Sequence, residues 1–369
     1  MKKIFQALSA LIVLGILYLC FYPIALEPIA RKTPPFPGLK GVYAPNTKLV
    51  ETKLVPLPSP GAESIVRDSL GQFYTGLANG DILRFDAEGN QQTIIATTGG
   101  RPLGMKFAPN GELIIADQKK GLLVMDSTYT VRSLVSHYEN EALKFVDDLT
   151  ISKEGIVYFS NATQRNPEIV ENEAWEQRAS GALFSYDLKT KKLELLKDNL
   201  FFANGLALNE EESYFLFSET FGLTLSKYWL KGPKKGTIEL FNNALPGYPD
   251  NITFNNGIFW VAIPSQRAVD IEPIFEQPFL RSVLLRLPES VRNSVIPKRY
   301  AMLLGFDESG RVVYNLQDPN GKFDYITSVL NVENRLYLGS LKEPNFGICL
   351  LYTSPSPRDL STSRMPSSA

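Results

Sequence analysis

The sequence is poor in the residues that mark several common function classes. It contains two cysteines and one histidine, too few for a disulfide framework or for a zinc site built from paired Cys and His ligands. The 38 basic and 39 acidic residues leave a formal net charge of −1. No basic stretch interleaved with aromatic residues occurs, so we expect no nucleic-acid partner.

Catalytic motifs with a fixed local signature are also missing. The sequence has no G-x-S-x-G elbow, no P-loop and no dinucleotide fingerprint, which leaves serine-hydrolase and nucleotide-dependent activities without support. Long amphipathic helices at regular spacing are absent as well, which disfavours α/β and helical-solenoid folds. The composition, 44% hydrophobic and 21% charged over 369 residues, is that of a globular protein with enough apolar side chains for a large core.

The N-terminus carries the clearest targeting signal. Two lysines precede about 19 uncharged residues, "IFQALSALIVLGILYLCFY", a length that crosses a bilayer core and exceeds a usual signal-peptide apolar region. We predict an uncleaved anchor over residues 1–23 with a cytoplasmic N-terminus and the body outside the cytoplasm. A cleaved signal sequence is the alternative, although no small-x-small cleavage site follows. Residues 24–59 are predicted to form a proline-rich stalk and a lead-in strand.

Two further segments differ from the rest of the body. Residues 270–298 have the longest helical pattern, which predicts a helical insertion before the last repeat. This insertion either packs against the rim of the repeat domain or covers the mouth of its central channel and touches the bilayer. Residues 353–369, "TSPSPRDLSTSRMPSSA", are rich in Ser and Pro without apolar periodicity, and we expect a disordered or non-native tail.

From about residue 60 to 352 the chain repeats itself. Short β-rich runs set off by polar turns recur at spacings of about 41, 44, 58, 44 and 77 residues, counted at Thr75, Ala116, Ser160, Ser218, Ala262 and Gly339. Repeats of roughly 40 to 50 residues are typical of β-propeller blades. We therefore predict an all-β, six-bladed β-propeller, with the two long intervals carrying insertions.

Polar residues recur at one position of the repeat, six to eight residues before the turn, where the innermost strand of each blade should begin. Equivalent strand starts meet around the axis of a propeller, so oxygen ligands distant in sequence would converge at one mouth of the channel. Such a set suits Ca²⁺, which takes 6–8 oxygens. The predicted metal ligands are Glu63, Asp147, Asp148, Asn204, Asp250 and Asn251.

Several segments have a familiar pattern. The segments resemble the strictosidine synthase-like six-bladed propellers, most closely their membrane-anchored branch, the adipocyte plasma membrane-associated proteins: "GRPLGMKFAPNGELIIADQKKGLLVMD", "DDLTISKEGIVYFSNAT", "FFANGLALNEEESYFLFSET" and "LPGYPDNI". Paraoxonases and gluconolactonases are similar at greater distance. This resemblance implies that five of the predicted ligands hold one calcium ion, and that Asp148 stands where the paraoxonase pattern has a ligand to a second, deeper calcium.

Departures from these patterns restrict the chemistry. The chain has only His137, and Leu103 stands where one member of the paraoxonase histidine dyad would be; Asn331 replaces the glutamate of strictosidine synthase. A histidine base and a Pictet–Spengler condensation are therefore disfavoured. We predict a calcium-dependent hydrolase of small-molecule lactones or aryl esters, in which Glu63 or Asp147 orients or deprotonates water. The alternative is a non-catalytic propeller that Ca²⁺ stabilises and that binds a partner.

Overall fold

The computed structural model describes residues 1–288, 290 and 299–351. Its body consists of six four-stranded antiparallel sheets arranged as blades, so the predicted six-bladed β-propeller is confirmed. The predicted tail over 353–369 and the end of the predicted helical insertion, residues 289 and 291–298, lie outside the described residues.

The first strand, β1, covers Lys53–Pro56, and the first three blades follow it. The strands of blade 1 are β2 (Ile65–Arg67), β3 (Phe73–Gly76), β4 (Asp81–Phe85) and β5 (Thr93–Thr97). Those of blade 2 are β6 (Pro102–Phe107), β7 (Leu113–Asp117), β8 (Gly121–Met125) and β9 (Val131–Val135), followed by a small hairpin, β10 (His137–Tyr138) and β11 (Glu141–Ala142). Those of blade 3 are β12 (Val146–Ile151), β13 (Ile156–Asn161), β14 (Gly181–Asp187) and β15 (Leu193–Leu200).

The remaining three blades complete the ring. The strands of blade 4 are β16 (Ala203–Leu208), β17 (Tyr214–Glu219), β18 (Thr224–Trp229) and β19 (Ile238–Asn242). A two-residue strand, β20 (Gly247–Tyr248), precedes blade 5, which comprises β21 (Ile252–Asn255), β22 (Ile258–Ile263), β24 (Ala301–Asp307) and β25 (Val312–Asp318), with β23 (Ser265–Gln266) paired to β20. Those of blade 6 are β26 (Ile326–Val332), β27 (Arg335–Ser340), β28 (Asn345–Leu350) and β1.

Blade 6 closes the ring with strands from both ends of the propeller. β1 pairs antiparallel with β28, from Lys53 opposite Ile348 to Pro56 opposite Asn345. The innermost strands β2, β6, β12, β16, β21 and β26 contact one another in that circular order. Because every innermost strand begins at the same end of the propeller, their first residues meet around the axis at one channel mouth.

The core lies between the blades. The middle strands β7 and β8 of blade 2 are buried over their full length, since each blade packs against a neighbour on both faces. The outermost strand β5 is largely exposed. Apolar residues therefore fill the second and third strands of a blade in continuous runs, as expected for strands covered on both sides.

The N-terminal segment has two parts. Helix α1 (Lys2–Phe21) contains no buried residue and is long and apolar enough to cross a membrane. Residues 27–36 of the proline-rich stalk behind it pack against the insertions at the mouth end of the propeller. Arg31 donates hydrogen bonds to Gln177 Oε1 at 2.6 Å and to the carbonyl of Gly222 at 3.0 Å. Its guanidinium also lies 4.0 Å from the ring centre of Phe201.

Two insertions stand at this same end. The first joins β13 to β14 and contains α2 (Glu171–Glu176); the second joins β22 to β24 and contains a 3₁₀ turn (Glu272–Glu276) and α3 (Pro278–Leu285). Over residues 270–288, the helical pattern predicted for 270–298 is thus divided into two short elements. Pro278 explains the division, because a proline disfavours helical geometry at the residue before it and starts a new helix well.

Candidate metal centre at the channel mouth

The predicted ligands begin four of the six innermost strands. Glu63 lies two residues before β2, Asn204 is the second residue of β16, and Asp250 and Asn251 directly precede β21. Asp147 and Asp148 are the second and third residues of β12. The ring therefore brings together residues up to 188 positions apart (251 − 63). All six side chains are between 2% and 8% exposed.

Four oxygens of this set have no hydrogen-bond partner among the described residues. They are Glu63 Oε2, Asp147 Oδ1, Asn204 Oδ1 and Asn251 Oδ1, one from each of blades 1, 3, 4 and 5. Buried polar atoms are nearly always satisfied, and leaving one unpaired costs about 1–3 kcal/mol. Four unpaired acceptors around one axis are the pattern that a hard cation with oxygen ligands would satisfy.

Neighbouring side chains orient the amide ligands. Asn204 donates from Nδ2 to Thr220 Oγ1 at 3.1 Å, which leaves its Oδ1 as the free group. Thr220 in turn donates to the carbonyl of Pro249 at 2.8 Å and so connects blade 4 to the ligands of blade 5. The backbone N–H of Asn251 donates to Asp250 Oδ1 at 2.9 Å. These contacts fix the ligand side chains before any ion binds, as in preorganised metal sites.

Asp148 is arranged differently from the other five. Its Oδ2 accepts the backbone N–H of Leu206 at 3.0 Å. Burial raises the pKa of Asp148 to about 6, and this hydrogen bond and the nearby Lys106 ammonium oppose the increase. Asp148 therefore lies between blade 4, which donates to its Oδ2, and Gly104 of blade 2, which adjoins its Oδ1. This position is compatible with the separate role that the family resemblance implies for it.

Burial dominates the electrostatics of the ring. It raises the pKa of Glu63 to about 8, with Arg101 opposing the increase and Asp148 adding to it. The pKa values of Asp147 and Asp250 are raised well above the usual range by burial and then by the nearby Glu63 charge. Carboxyl groups that lie close together at the channel mouth raise the pKa of one another, because a negative charge on one group disfavours ionisation of its neighbour. A bound cation would reverse this effect.

Carboxylates alone do not form the site. Within the described ranges, no three Asp, Glu, His or Cys side chains lie close enough together to hold a metal ion. In this conformation Glu63, Asp147 and Asp250 are therefore too far apart to hold an ion as a set of three carboxylates, and the amide oxygens of Asn204 and Asn251 are further side-chain donors at the same ring positions. This donor chemistry, which mixes carboxylate and amide oxygens without nitrogen or sulfur, fits calcium and not zinc.

Two glycines allow the ligand-bearing strands to approach each other. A Cβ on Gly205 would lie 2.4 Å from the backbone nitrogen of Ile252, and one on Gly104 would lie 2.5 Å from Asp148 Oδ1. Both distances are too short for any side chain. The sequences "NG" at 204–205 and "LG" at 103–104 are thus explained by close packing around the axis.

A second layer of side chains surrounds the mouth just outside the ring. At the position two residues before the ring position, four consecutive blades carry an aromatic residue and blade 2 carries Arg101; the aromatic residues are Phe145, Phe202, Tyr248 and Tyr325. Phe145 and Phe202 meet at 5.4 Å between ring centres, and Phe221 links Phe202 to Tyr248 at 5.4 and 6.0 Å.

This layer was not predicted from the sequence, although an aromatic residue stands two positions before Asp147, Asn204 and Asp250. Phe202 and Tyr325 also adopt positive φ, 62° and 54°, which is unusual for bulky residues and concentrates at functional sites.

The insertion carrying α2 passes over the mouth. Val170 packs in the apolar cluster formed with Leu103, Phe145 and Phe202. At its far side, Glu171 lies 3.6 Å from the ammonium of Lys342, which belongs to blade 6 and so to the opposite side of the ring from blade 3. The ring and its aromatic layer are therefore covered in this conformation.

Other residues singled out in the sequence lie elsewhere. His137 is exposed on β10, where its Nδ1 is 3.0 Å from Ser136 Oγ. Asn331 is four residues further along β26 than Thr327, the residue at ring level, which places it about 13 Å deeper at the usual rise of a strand. Leu103 occupies the ring position of blade 2 and is buried in the apolar cluster.

Comparison with known proteins identifies the relatives of this chain. Two family profiles match: Strictosidine synthase over residues 147–233, and Strictosidine synthase-like, N-terminal, over residues 41–85. The adipocyte plasma membrane-associated protein of Rattus norvegicus is 32% identical over 363 residues, which cover 91% of this chain and 95% of the relative. STRICTOSIDINE SYNTHASE-LIKE 13 of Arabidopsis thaliana is 34% identical over 301 residues, 71% and 73% of the two chains.

Solved structures share the fold at low identity. A gluconolactonase from Xanthomonas campestris is 14% identical with a TM-score of 0.60, covering 90% of this chain and 99% of its own. Regucalcin from Agrobacterium tumefaciens, a calcium-binding protein, is 11% identical with a TM-score of 0.55, covering 80% and 92%. At these identities the likeness shows a common propeller architecture.

Proposed function

This chain belongs to the strictosidine synthase-like family of six-bladed propellers, and on that basis we propose that it is a membrane-anchored, calcium-dependent hydrolase of lactones or aryl esters. The observation that carries the proposal is the set of four buried oxygens without a hydrogen-bond partner among the described residues, one at the start of the innermost strand in each of blades 1, 3, 4 and 5. The resemblance to gluconolactonases and to a calcium-binding propeller supports it.

The metal would be held by Glu63, Asp147, Asn204, Asp250 and Asn251, with Asp148 reserved for a second, deeper ion. Calcium, when bound, would supply a Lewis acid that polarises the ester carbonyl and stabilises negative charge on its oxygen. The amide ligands keep their oxygens aimed at the axis because Thr220 holds the Nδ2 group of Asn204.

Glu63 and Asp147 are the proposed proton acceptors. Both carboxyl groups are buried at the channel mouth, where each would lie beside a substrate carbonyl held by the metal. Each carries one oxygen without a protein partner. Either residue would hold the attacking water and take its proton, a role that the single exposed histidine is too remote to perform.

The aromatic layer outside the ring would bind the part of the substrate that does not react. Phe145, Phe202, Phe221 and Tyr248 contact one another in a row of aromatic rings at the mouth, on which the aryl or alkyl group of an ester would pack and exclude water. This row of rings favours apolar lactones and aryl esters over polyhydroxylated sugar lactones.

A panel of lactones and aryl esters, assayed with the full-length protein in detergent after metal removal, tests the proposal. We expect hydrolysis to return on addition of Ca²⁺ and to disappear with chelator. An Asn204→Ala variant should remain inactive at all Ca²⁺ concentrations. Folded protein that hydrolyses no member of the panel with Ca²⁺ bound would contradict the catalytic proposal.

A non-catalytic role is the second candidate, and one observation favours it. The α2 insertion spans the mouth from blade 3 to Lys342 on blade 6, so the ring is covered as it stands. Calcium would then only hold the blades in register, and the insertions would bind a partner. Calcium binding without hydrolysis in the same panel is the outcome that this candidate expects.

We also propose that α1 is an uncleaved anchor, with the N-terminus cytoplasmic and the propeller periplasmic, lumenal or extracellular. The apolar length of α1 and the membrane-associated relatives support this arrangement. Carbonate extraction should leave the full chain in membranes, and protease added to intact membranes should reach the propeller only from the non-cytoplasmic side. Release by carbonate would contradict the anchor.

A further inference from the structure

Large apolar side chains are exposed on the two insertions at the mouth end. We call this set the cap surface: Ile169, Val269, Phe279 and Leu280, which are 55%, 38%, 63% and 38% exposed. Phe279 and Leu280 stand on the first turn of α3, where nothing in the described chain covers them. At the opposite end of the propeller, Leu70 in the turn between β2 and β3 is 87% exposed.

The end of α1 contacts the C-terminal end of α3, the helix whose first turn carries Phe279 and Leu280 of the cap surface. Arg286 donates a hydrogen bond from Nε to the carbonyl of Tyr22 at 2.6 Å. Tyr18 and Tyr22 line a shared cavity with Leu285 and Leu287 at the end of α3. Tyrosines at the end of an apolar helix are typical of the boundary between hydrocarbon and headgroups, so the C-terminal end of α3 lies at that depth.

The stalk between α1 and the propeller is fixed, which limits how far the body can turn away. The backbone N–H of Glu27 donates to Glu176 Oε1 at 2.9 Å, and Arg178 Nε donates to the carbonyl of Glu27 at 2.6 Å. Arg281 is fully buried and donates to the carbonyls of Ile29 and Trp175. The chain from α1 to the insertions therefore behaves as one packed unit.

From this arrangement we infer that the cap surface lies in the headgroup region of the bilayer that α1 crosses, and that the channel mouth faces the lipid. The occupant of the exposed apolar face is the lipid bilayer, because this face is continuous with the membrane helix. Apolar substrates would then reach the aromatic layer from the membrane. This inference rests on the proposed anchoring and deepens the proposed function.

Depth-dependent fluorescence quenching tests the inference without using hydrolysis. The full-length protein is reconstituted into nanodiscs of phosphatidylcholine with and without bromine atoms near the headgroup end of the acyl chains. Two variants are compared with the parent, Phe279→Trp on the cap surface and Leu70→Trp at the opposite end. Both replace exposed side chains, so both should fold.

We expect the emission added by Phe279→Trp to be mostly lost in brominated nanodiscs and the emission added by Leu70→Trp to be unchanged. Equal emission from both variants in brominated and plain nanodiscs would overturn the inference, and so would a chain that fails to enter nanodiscs. An inactive protein that still shows the expected difference would contradict the hydrolase proposal alone.

Discussion

Asn204 and Asn209 lie near opposite ends of the innermost strand β16, and both are buried. Asn204 presents an unpaired Oδ1 to the axis, whereas Asn209 uses its side chain in a turn, where Oδ1 accepts the Ser213 N–H at 2.9 Å. The two residues have the same chemistry but different surroundings, so they form a matched pair for mutation.

We predict that Asn204→Ala removes both hydrolysis and the stabilisation by Ca²⁺, because a ligand from one blade is lost. Asn209→Ala should lower stability by about 1–3 kcal/mol through the broken turn while the response to Ca²⁺ persists. His137→Ala should change neither property. Activity and melting temperature are measured for all three variants. Loss of activity in His137→Ala with normal Ca²⁺ binding would indicate a histidine base instead.

The ring carboxyls also predict a dependence on pH. The pKa of Glu63 is raised to about 8 in the metal-free protein, and those of Asp147 and Asp250 are raised as well, against about 4 in the unfolded chain. Between these values the folded state binds more protons than the unfolded state. The stability of the metal-free protein should therefore fall as the pH rises from about 4.5 to about 8.

Calcium should counteract this loss, because it binds the ionised carboxylates. We expect the increase in melting temperature on adding Ca²⁺ to grow over the same pH range. Melting curves of metal-stripped protein at a series of pH values, with and without Ca²⁺, measure both effects. Metal-free stability that rises through this range would contradict the buried acidic ring.

At the scale of elements, the stalk depends on buried arginines from the insertions. Arg281 donates to three backbone carbonyls, those of Trp175, Ile29 and Phe275. We predict that Arg281→Met, which keeps an apolar side chain of similar length, leaves these carbonyls unpaired and costs a few kcal/mol. The variant should be cut by protease within residues 24–36 faster than the parent, while Arg311→Met, at an exposed pair with Asp307, should not be.

Sequence periodicity identifies elements whose residues form a pattern over a short stretch of chain, and it does not identify contacts between distant residues. The innermost strands of blades 1, 3, 4 and 5 were predicted from polar residues that stand six to eight positions before a turn. The insertion at 270–298 was predicted as one helical pattern and is divided at Pro278. The packing of the stalk had no local signal, since Arg31 and Arg267 contact partners more than 140 residues away. The aromatic layer did have a local signal, because an aromatic residue precedes the ring position by two residues in blades 3 to 6. That signal was not used in the prediction.

At the scale of the whole molecule, ring closure and the proposed metal site act on the same strands. β1 joins β28 at the outer edge of blade 6, and the ring residues connect blades 1, 3, 4 and 5 at the axis. A ligand set drawn from four blades exists only in the folded state, so an ion that binds it stabilises folding by mass action.

The most direct test of the account is the melting temperature of metal-stripped, full-length protein as Ca²⁺ is added. At a hundredfold excess over the dissociation constant, binding to one site should stabilise the protein by about 2.7 kcal/mol, which is about 4 °C for a domain of this size. Asn204→Ala should show no such increase, and Asn209→Ala should show it in full. A wild-type melting temperature that stays constant at saturating Ca²⁺ would contradict a calcium site on the propeller axis.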